Sequence, residues 1–75
     1  MYEIAGNQIN LKDVVGITKT TQDARYEVDV LLNGNTLKII SNLRLELVDM
    51  RNDLIESVDI YQLHHNLKPI PILKS

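Results

Sequence analysis

The pair Asn33-Gly34 separates two runs of alternating apolar side chains, and this pattern constrains the fold more than any other feature of the sequence. An Asn-Gly pair tolerates the positive φ angles of a type I′ turn, which commonly closes a β-hairpin with a two-residue loop. The pattern therefore predicts a β-hairpin over residues 25–41.

The two-residue loop also fixes the register of this hairpin. Val30 then lies opposite Leu37, and Asp29 lies opposite Lys38 as a cross-strand pair of opposite charge. One face collects most of the apolar side chains, namely Tyr26, Val28, Val30, Leu32, Leu37 and Ile39. Because a shift of one residue would turn this face to solvent, we expect a single register.

Shorter strand patterns precede the hairpin. Residues 2–5 and 8–11 alternate on either side of Gly6-Asn7 and predict a small first hairpin. Residues 14–20 are rich in β-branched side chains and predict another strand. A glycine interrupts this strand, which indicates a β-bulge or a close approach of another group to the backbone.

The segment after the hairpin has two possible structures at its start. Residues 43–47 alternate like a strand, whereas the wider segment carries an apolar residue at every third or fourth position, as on one face of a helix. Ser41 or Asn42 can serve as the N-cap, so we predict a helix over about residues 43–61. Its apolar stripe consists of Leu43, Leu47, Met50, Leu54, Val58 and Tyr61.

These elements predict an α+β fold, in which a small antiparallel sheet of four to five strands is packed by one C-terminal helix. We place this single domain at residues 1–62 and an extended tail at residues 63–75, where Pro69 and Pro71 exclude a regular helix. The order of sheet and then helix resembles a shortened pleckstrin-homology layout. A core of this size is marginal, and without cysteine the chain has no disulfides, so oligomerisation would add stability.

Composition and motifs exclude several classes of function. The net charge is −2 and the basic residues are scattered, which argues against nucleic-acid or membrane binding. The chain has no apolar run long enough for a membrane span and no signal-peptide pattern, so we expect a cytoplasmic protein. It also lacks a cysteine nucleophile, a nucleophile elbow and a glycine-rich phosphate loop. We therefore expect no enzyme activity, no cofactor and no small-molecule substrate.

The two histidines, His64 and His65, are adjacent in the sequence. Adjacent side chains of an extended segment point to opposite sides, so this pair is poorly placed to chelate one ion. We expect both side chains to be solvated beyond the helix end, and we expect no metal site.

Four apolar residues have no clear place inside one sheet-and-helix layer, namely Leu31, Ile40, Ile70 and Ile72. In the hairpin register Leu31 and Ile40 point away from the helix. We therefore predict a non-enzymatic protein-interaction module, either a homo-oligomer or a subunit of a larger assembly. Its partner would be a second copy of the chain or another protein.

The tail segment Ile70-Pro71-Ile72 projects two apolar side chains from one side of a stiff strand. Over these three residues it resembles the Ile-x-Ile tail motif of small heat-shock proteins, which docks into a groove of a neighbouring subunit. The all-β sandwich of that family has no counterpart in this sequence. We favour packing in cis or disorder of the tail over docking in trans.

An acidic stripe at helical spacing comprises Glu46, Asp49, Asp53 and Glu56. Such a stripe is typical of the solvated face of an amphipathic helix, and Arg44 and Arg51 dilute its charge. The alternative function is an inhibitor carried by a phage or mobile element, which would use this face to block a basic groove of a host protein.

Overall fold

A computed structural model describes residues 1–73 and has the predicted α+β fold, in which short antiparallel strands precede one C-terminal helix. Strands β1 and β2 form a separate two-stranded sheet, and β3 to β6 form the main sheet. The elements are β1 (Tyr2–Ile4), β2 (Asn7–Ile9), a 3-10 turn (Leu11–Asp13), β3 (Val14–Ile17), β4 (Thr21–Gln22), β5 (Tyr26–Leu32), β6 (Asn35–Ser41) and α1 (Arg44–His64).

The pairing of β5 with β6 confirms the predicted hairpin register over seven residue pairs. Val30 pairs with Leu37, and Asp29 pairs with Lys38. The Lys38 ammonium nitrogen lies 3.1 Å from Asp29 Oδ1 and 3.0 Å from Glu27 Oε1, so the predicted charge pair includes a third residue. The predicted inner face is the buried one, and its valines are almost fully enclosed.

The turn within this hairpin differs from the predicted type I′ turn. Gly34 has a φ of +81°, but Asn33 is not in the positive-φ region, and this combination is typical of a type II turn. The turn with two left-handed residues instead joins β1 to β2, where φ is +50° at Ala5 and +79° at Gly6. The predicted Gly6-Asn7 turn was wrong by one residue, because Asn7 pairs with Ile4 as the first residue of β2.

β3 is shorter than predicted, and it pairs with β5 through a bulge between Val14 and Gly16. Leu31 lies directly over Gly16, because a Cβ atom added to this glycine would lie 3.1 Å from Leu31 Cδ1. Both explanations for the glycine therefore apply, a bulge and a close approach. The polar connection after β3 contains the short strand β4, which pairs with the start of β5.

Helix α1 begins one residue later and ends three residues later than predicted, so residues 43–47 do not form a strand. Neither Ser41 nor Asn42 is the N-cap. Leu43 occupies that position without a side-chain cap, and its backbone N–H donates to Ser41 Oγ at 3.0 Å. Leu43 is 64% exposed and does not belong to the buried stripe.

The C-terminal end of α1 is closed by a Schellman motif. Asn66 has a φ of +54° and donates its backbone N–H to the Leu63 carbonyl at 3.4 Å. The N–H of Leu67 donates to the Gln62 carbonyl at 3.0 Å. Asparagine is one of the few residues besides glycine that readily adopts this left-handed conformation, so it ends the helix and directs the chain into the tail.

The core lies between the inner face of the sheet and the buried side of α1, which packs against β5 and β6. Leu54 and Val58 of the helix are fully buried, as is Val30 of β5. The remaining buried apolar residues are Ile4, Ile9, Val14, Ile17, Val28, Ile39 and Leu47. The first hairpin therefore contributes to the same core as the main sheet.

The tail packs against its own chain, which was one of the two alternatives favoured from the sequence; the other was disorder. Ile17 donates its backbone N–H to the Pro71 carbonyl at 3.1 Å, and Leu73 donates to the Ile17 carbonyl at 2.9 Å. Ile17 and Ile72 form a parallel bridge. Ile70 and Ile72 both pack against the core of their own chain.

The Ala5→Asn variant is expected to be more stable than the native chain by about 0.5–1 kcal/mol, because asparagine tolerates the left-handed region better than alanine. Urea unfolding measures the change. The chain offers a matched control in Ala24→Asn, an exposed position outside the positive-φ region, where we expect no change. An equal gain at both positions would contradict the proposed cause.

Candidate interaction site

The free edge of β6 is the candidate interaction site. Within residues 1–73, β6 pairs with β5 along one side and with no strand along the other. Hydrogen-bonded pairs alternate along an antiparallel ladder, so the backbone groups of Thr36, Lys38 and Ile40 point away from β5. The Thr36 N–H is occupied by Asn35 Oδ1 at 2.9 Å. Lys38 and Ile40 therefore present both an N–H and a C=O at the edge.

Little protects this edge from another strand. Native edge strands are usually short, bulged, interrupted by proline or guarded by charge. β6 spans seven residues, contains no proline and pairs with β5 without a bulge. Its only charged side chain, Lys38, is held over the neighbouring strand by Glu27 and Asp29. The edge strand is therefore long and regular, and its one charged side chain is directed toward β5 and away from the free edge.

Leu31 and Ile40 lie on the outer face of the sheet, where they are 37% and 38% exposed. Leu31 pairs with Thr36, whereas Ile40 pairs with Glu27 near the other end of the ladder. The ion pairs of Lys38 lie between these two positions. The two apolar residues therefore do not form one continuous surface, and only Ile40 lies on the edge strand.

Arg51 fixes the tail against the main sheet. Its Nε donates to the Thr18 carbonyl at 2.9 Å, and its guanidinium also donates to the Leu73 carbonyl. Arg51 is only 8% exposed, burial lowers its pKa, and within residues 1–73 it forms no ion pair. These hydrogen bonds of Arg51 hold Ile70 and Ile72 against the chain's own core, although both residues were predicted to contact a partner.

This role of Arg51 was not predicted from the sequence, where the residue was counted among the charges of the helix surface. A signal was available, because Arg51 lies four residues after Leu47 and three before Leu54, on the apolar stripe. An arginine at such a position is expected to be buried with hydrogen-bond acceptors.

The acidic stripe is exposed along α1 at Glu46, Asp49, Asp53 and Glu56. Two of these carboxylates have partners: Asp53 accepts a hydrogen bond from the Tyr2 hydroxyl, and Glu46 accepts one from the Ser41 hydroxyl at 3.4 Å. Arg51 points into the protein and does not dilute the exposed charge. This face is therefore more acidic than the sequence indicated.

A groove of about 560 Å³ lies between the last turns of α1 and the 3-10 turn. His64 and His65 both line this groove, and the expectation that they lie in an extended segment beyond the helix end was wrong. The reason is that His64 is the last helical residue and His65 is the C-cap, not part of an extended segment. The other lining residues are Met1, Tyr2, Asn10, Leu11, Lys12, Ser57, Ile60 and Tyr61.

The Tyr2 ring of this groove is expected to titrate at unusually high pH. Burial, reinforced by the hydrogen bond to Asp53, raises the pKa of Tyr2 from 10.0 to about 12. Because the folded pKa exceeds the unfolded one, the neutral phenol favours folding below about pH 10, and this contribution is lost as pH rises through the folded value. An NMR titration of the Tyr2 ring measures the midpoint.

The Asp53→Asn variant should lower the Tyr2 midpoint, since it removes the carboxylate but leaves much of the burial. A Tyr2 midpoint near 10.0 in the folded native chain would contradict the assigned environment.

The Arg51→Met variant is expected to release the tail. The amides of Ile17 and Leu73 should then exchange with solvent at least tenfold faster, and the chain should lose about 1–3 kcal/mol of stability. Amide hydrogen exchange by NMR measures both amides. Arg44→Met is the matched control, because Arg44 is exposed at the start of α1. Unchanged protection at Ile17 and Leu73 in Arg51→Met would show that Arg51 does not hold the tail.

Within residues 1–73, α1 is not apolar enough to cross a membrane, and no group of three His, Cys, Asp or Glu side chains could hold a metal ion. The chain matches no protein-family model, no curated protein and no solved structure.

Proposed function

We propose that this chain is a non-enzymatic protein-interaction module that forms a homodimer by pairing of β6 with β6 of a second copy. The observation that supports this proposal is the free edge of β6, where Lys38 and Ile40 direct their backbone groups outward. The small size of the domain adds a reason for association, because a core of about 70 residues contributes little net stability.

A two-fold symmetric pair of antiparallel strands restricts the register of such a dimer. If the symmetry axis passes at Ile39, Lys38 of each copy pairs with Ile40 of the other. The outward N–H and C=O groups of these residues then form four backbone hydrogen bonds. An axis at Lys38 would instead place two like charges directly opposite, which destabilises the pair.

The side chains suit the register centred on Ile39. On the outer face, Ile40 of one copy packs along the aliphatic stem of Lys38 of the other, whose ammonium group stays with Glu27 and Asp29. On the inner face, Ile39 is already enclosed within its own chain, so the proposed contact depends on the backbone hydrogen bonds and on the side chains of the outer face. The dimer would also remove the open edge that makes a single copy prone to irregular association.

A second candidate function uses the acidic stripe of α1. In this proposal the chain is a phage or mobile-element inhibitor that occupies a basic groove of a host protein. The observation that favours it is the inward direction of Arg51, which leaves Asp49 and Glu56 exposed without an ion pair within residues 1–73. Such binding would weaken steeply as salt concentration rises.

The Ile40→Lys variant is expected to dissociate the dimer, because each new lysine would lie opposite Lys38 of the second copy. We expect the native chain to be a dimer at tens of micromolar, and the dissociation constant to rise about tenfold in the variant, or ~1.4 kcal/mol over two symmetric contacts. Sedimentation equilibrium measures both. Leu31→Lys is the matched control, since its position has the same exposure but lies on the central strand.

The possible outcomes distinguish the dimer through β6 from a contact through the outer sheet face and from the acidic inhibitor. A monomeric native chain with a melting temperature independent of concentration would overturn the dimer proposal. Dissociation by Leu31→Lys alone would move the contact to the outer sheet face. The double reversal Asp49→Lys, Glu56→Lys should leave the dimer intact, and it tests the second candidate because it would abolish salt-sensitive binding to a basic partner. Asp53 is left unchanged to retain its bond with Tyr2.

A further inference from the structure

We propose that the groove at the C-terminal end of α1 binds small aromatic carboxylates. Its volume of about 560 Å³ lies within the range of small-molecule sites. Its lining includes Lys12, His64 and His65 but no aspartate or glutamate, although the chain has a net charge of −2. Lys12 and the imidazole nitrogens favour an anionic ligand, and the carboxylate beside the groove, that of Asp53, is engaged by the Tyr2 hydroxyl.

The walls of the groove favour a flat ring. The rings of Tyr61 and His65 are in contact, with centroids 4.3 Å apart and planes tilted by 35°. Ile60 borders the same groove and is 49% exposed, although most of its neighbours on the outer side of α1 are polar. An aromatic ligand would stack against the ring pair and cover Ile60, which stabilises both surfaces.

The helix end does not oppose an anion as strongly as an open C-terminus would. Free carbonyl groups at a helix C-terminus repel negative charge. Here the carbonyls of residues 61–63 accept backbone hydrogen bonds from the N–H groups of residues 65–67. The Schellman motif thus satisfies the carbonyls of Gln62 and Leu63 in the last turn, and Lys12 is the one lysine that lines the groove.

Three probes of equal ring size test the proposal on the full chain: 2-naphthoate, the neutral 2-naphthamide and the cationic 2-naphthylmethylamine. We expect chemical shift changes in ¹⁵N NMR spectra to cluster at the groove, around Lys12, Ile60 and Tyr61. The dissociation constant of 2-naphthoate should be at least threefold lower than that of the amide. The cationic probe should bind most weakly.

Two variants assign the contributions of charge and ring. Lys12→Gln should raise the dissociation constant of 2-naphthoate about threefold or more and leave that of 2-naphthamide unchanged. Lys68→Gln, an exposed lysine outside the groove, should change neither value. Tyr61→Leu should weaken both ligands, because it removes the ring without altering the charge. Circular dichroism establishes that each variant is folded.

The proposal is overturned if the three probes bind equally, if none binds at millimolar concentration, or if the shift changes lie away from the groove. It is independent of the proposed dimer, because β6 contributes no residue to the groove. The Ile40→Lys variant should therefore bind 2-naphthoate as tightly as the native chain, whatever its state of association.

Discussion

The ladder between β5 and β6 is the interaction on which the rest of the structure depends. Its register determines which side chains face inward. Val28, Val30 and Ile39 form part of the buried surface against which α1 packs. The other edge of β5 then carries both β3 and β4. Because a slip of one residue would invert both faces, loss of this register would remove the helix and the remaining strands from their common core.

The tail covers the main sheet at β3, whereas the edge at β6 is open. Arg51 accounts for this difference. By donating to the carbonyls of Thr18 and Leu73, it fixes the tail beside β3 and covers that edge. Pro71 has no N–H to continue the pairing, so the parallel contact stays short. No such segment covers β6 among residues 1–73, and its open edge of seven residues is longer than that of the two-residue strand β4 on the other side.

Local patterns in the sequence predicted the hairpin register, its buried face and the helix, because neighbouring residues determine these features. The turn types were harder, since Ala5 occupies a left-handed conformation that an asparagine would have adopted more readily. The docking of the tail depends on Arg51 bonds across 33 and 22 positions of sequence, which periodicity does not reveal. The groove likewise joins the helix end to residues near the N-terminus, so its lining could not be assembled from sequence spacing.

The placement of these surfaces limits how they can influence one another. A dimer formed through β6 would bury an edge to which the groove contributes nothing, so each copy would keep its groove accessible. The acidic stripe lies on the solvent side of α1, whereas the helix meets β6 through its opposite side. Association would therefore raise the stability of the fold by mass action without consuming either the groove or the acidic face. The groove and the acidic stripe adjoin each other, because the Tyr2 hydroxyl at the groove donates to Asp53 of the stripe, so a ligand in the groove would lie beside the acidic face.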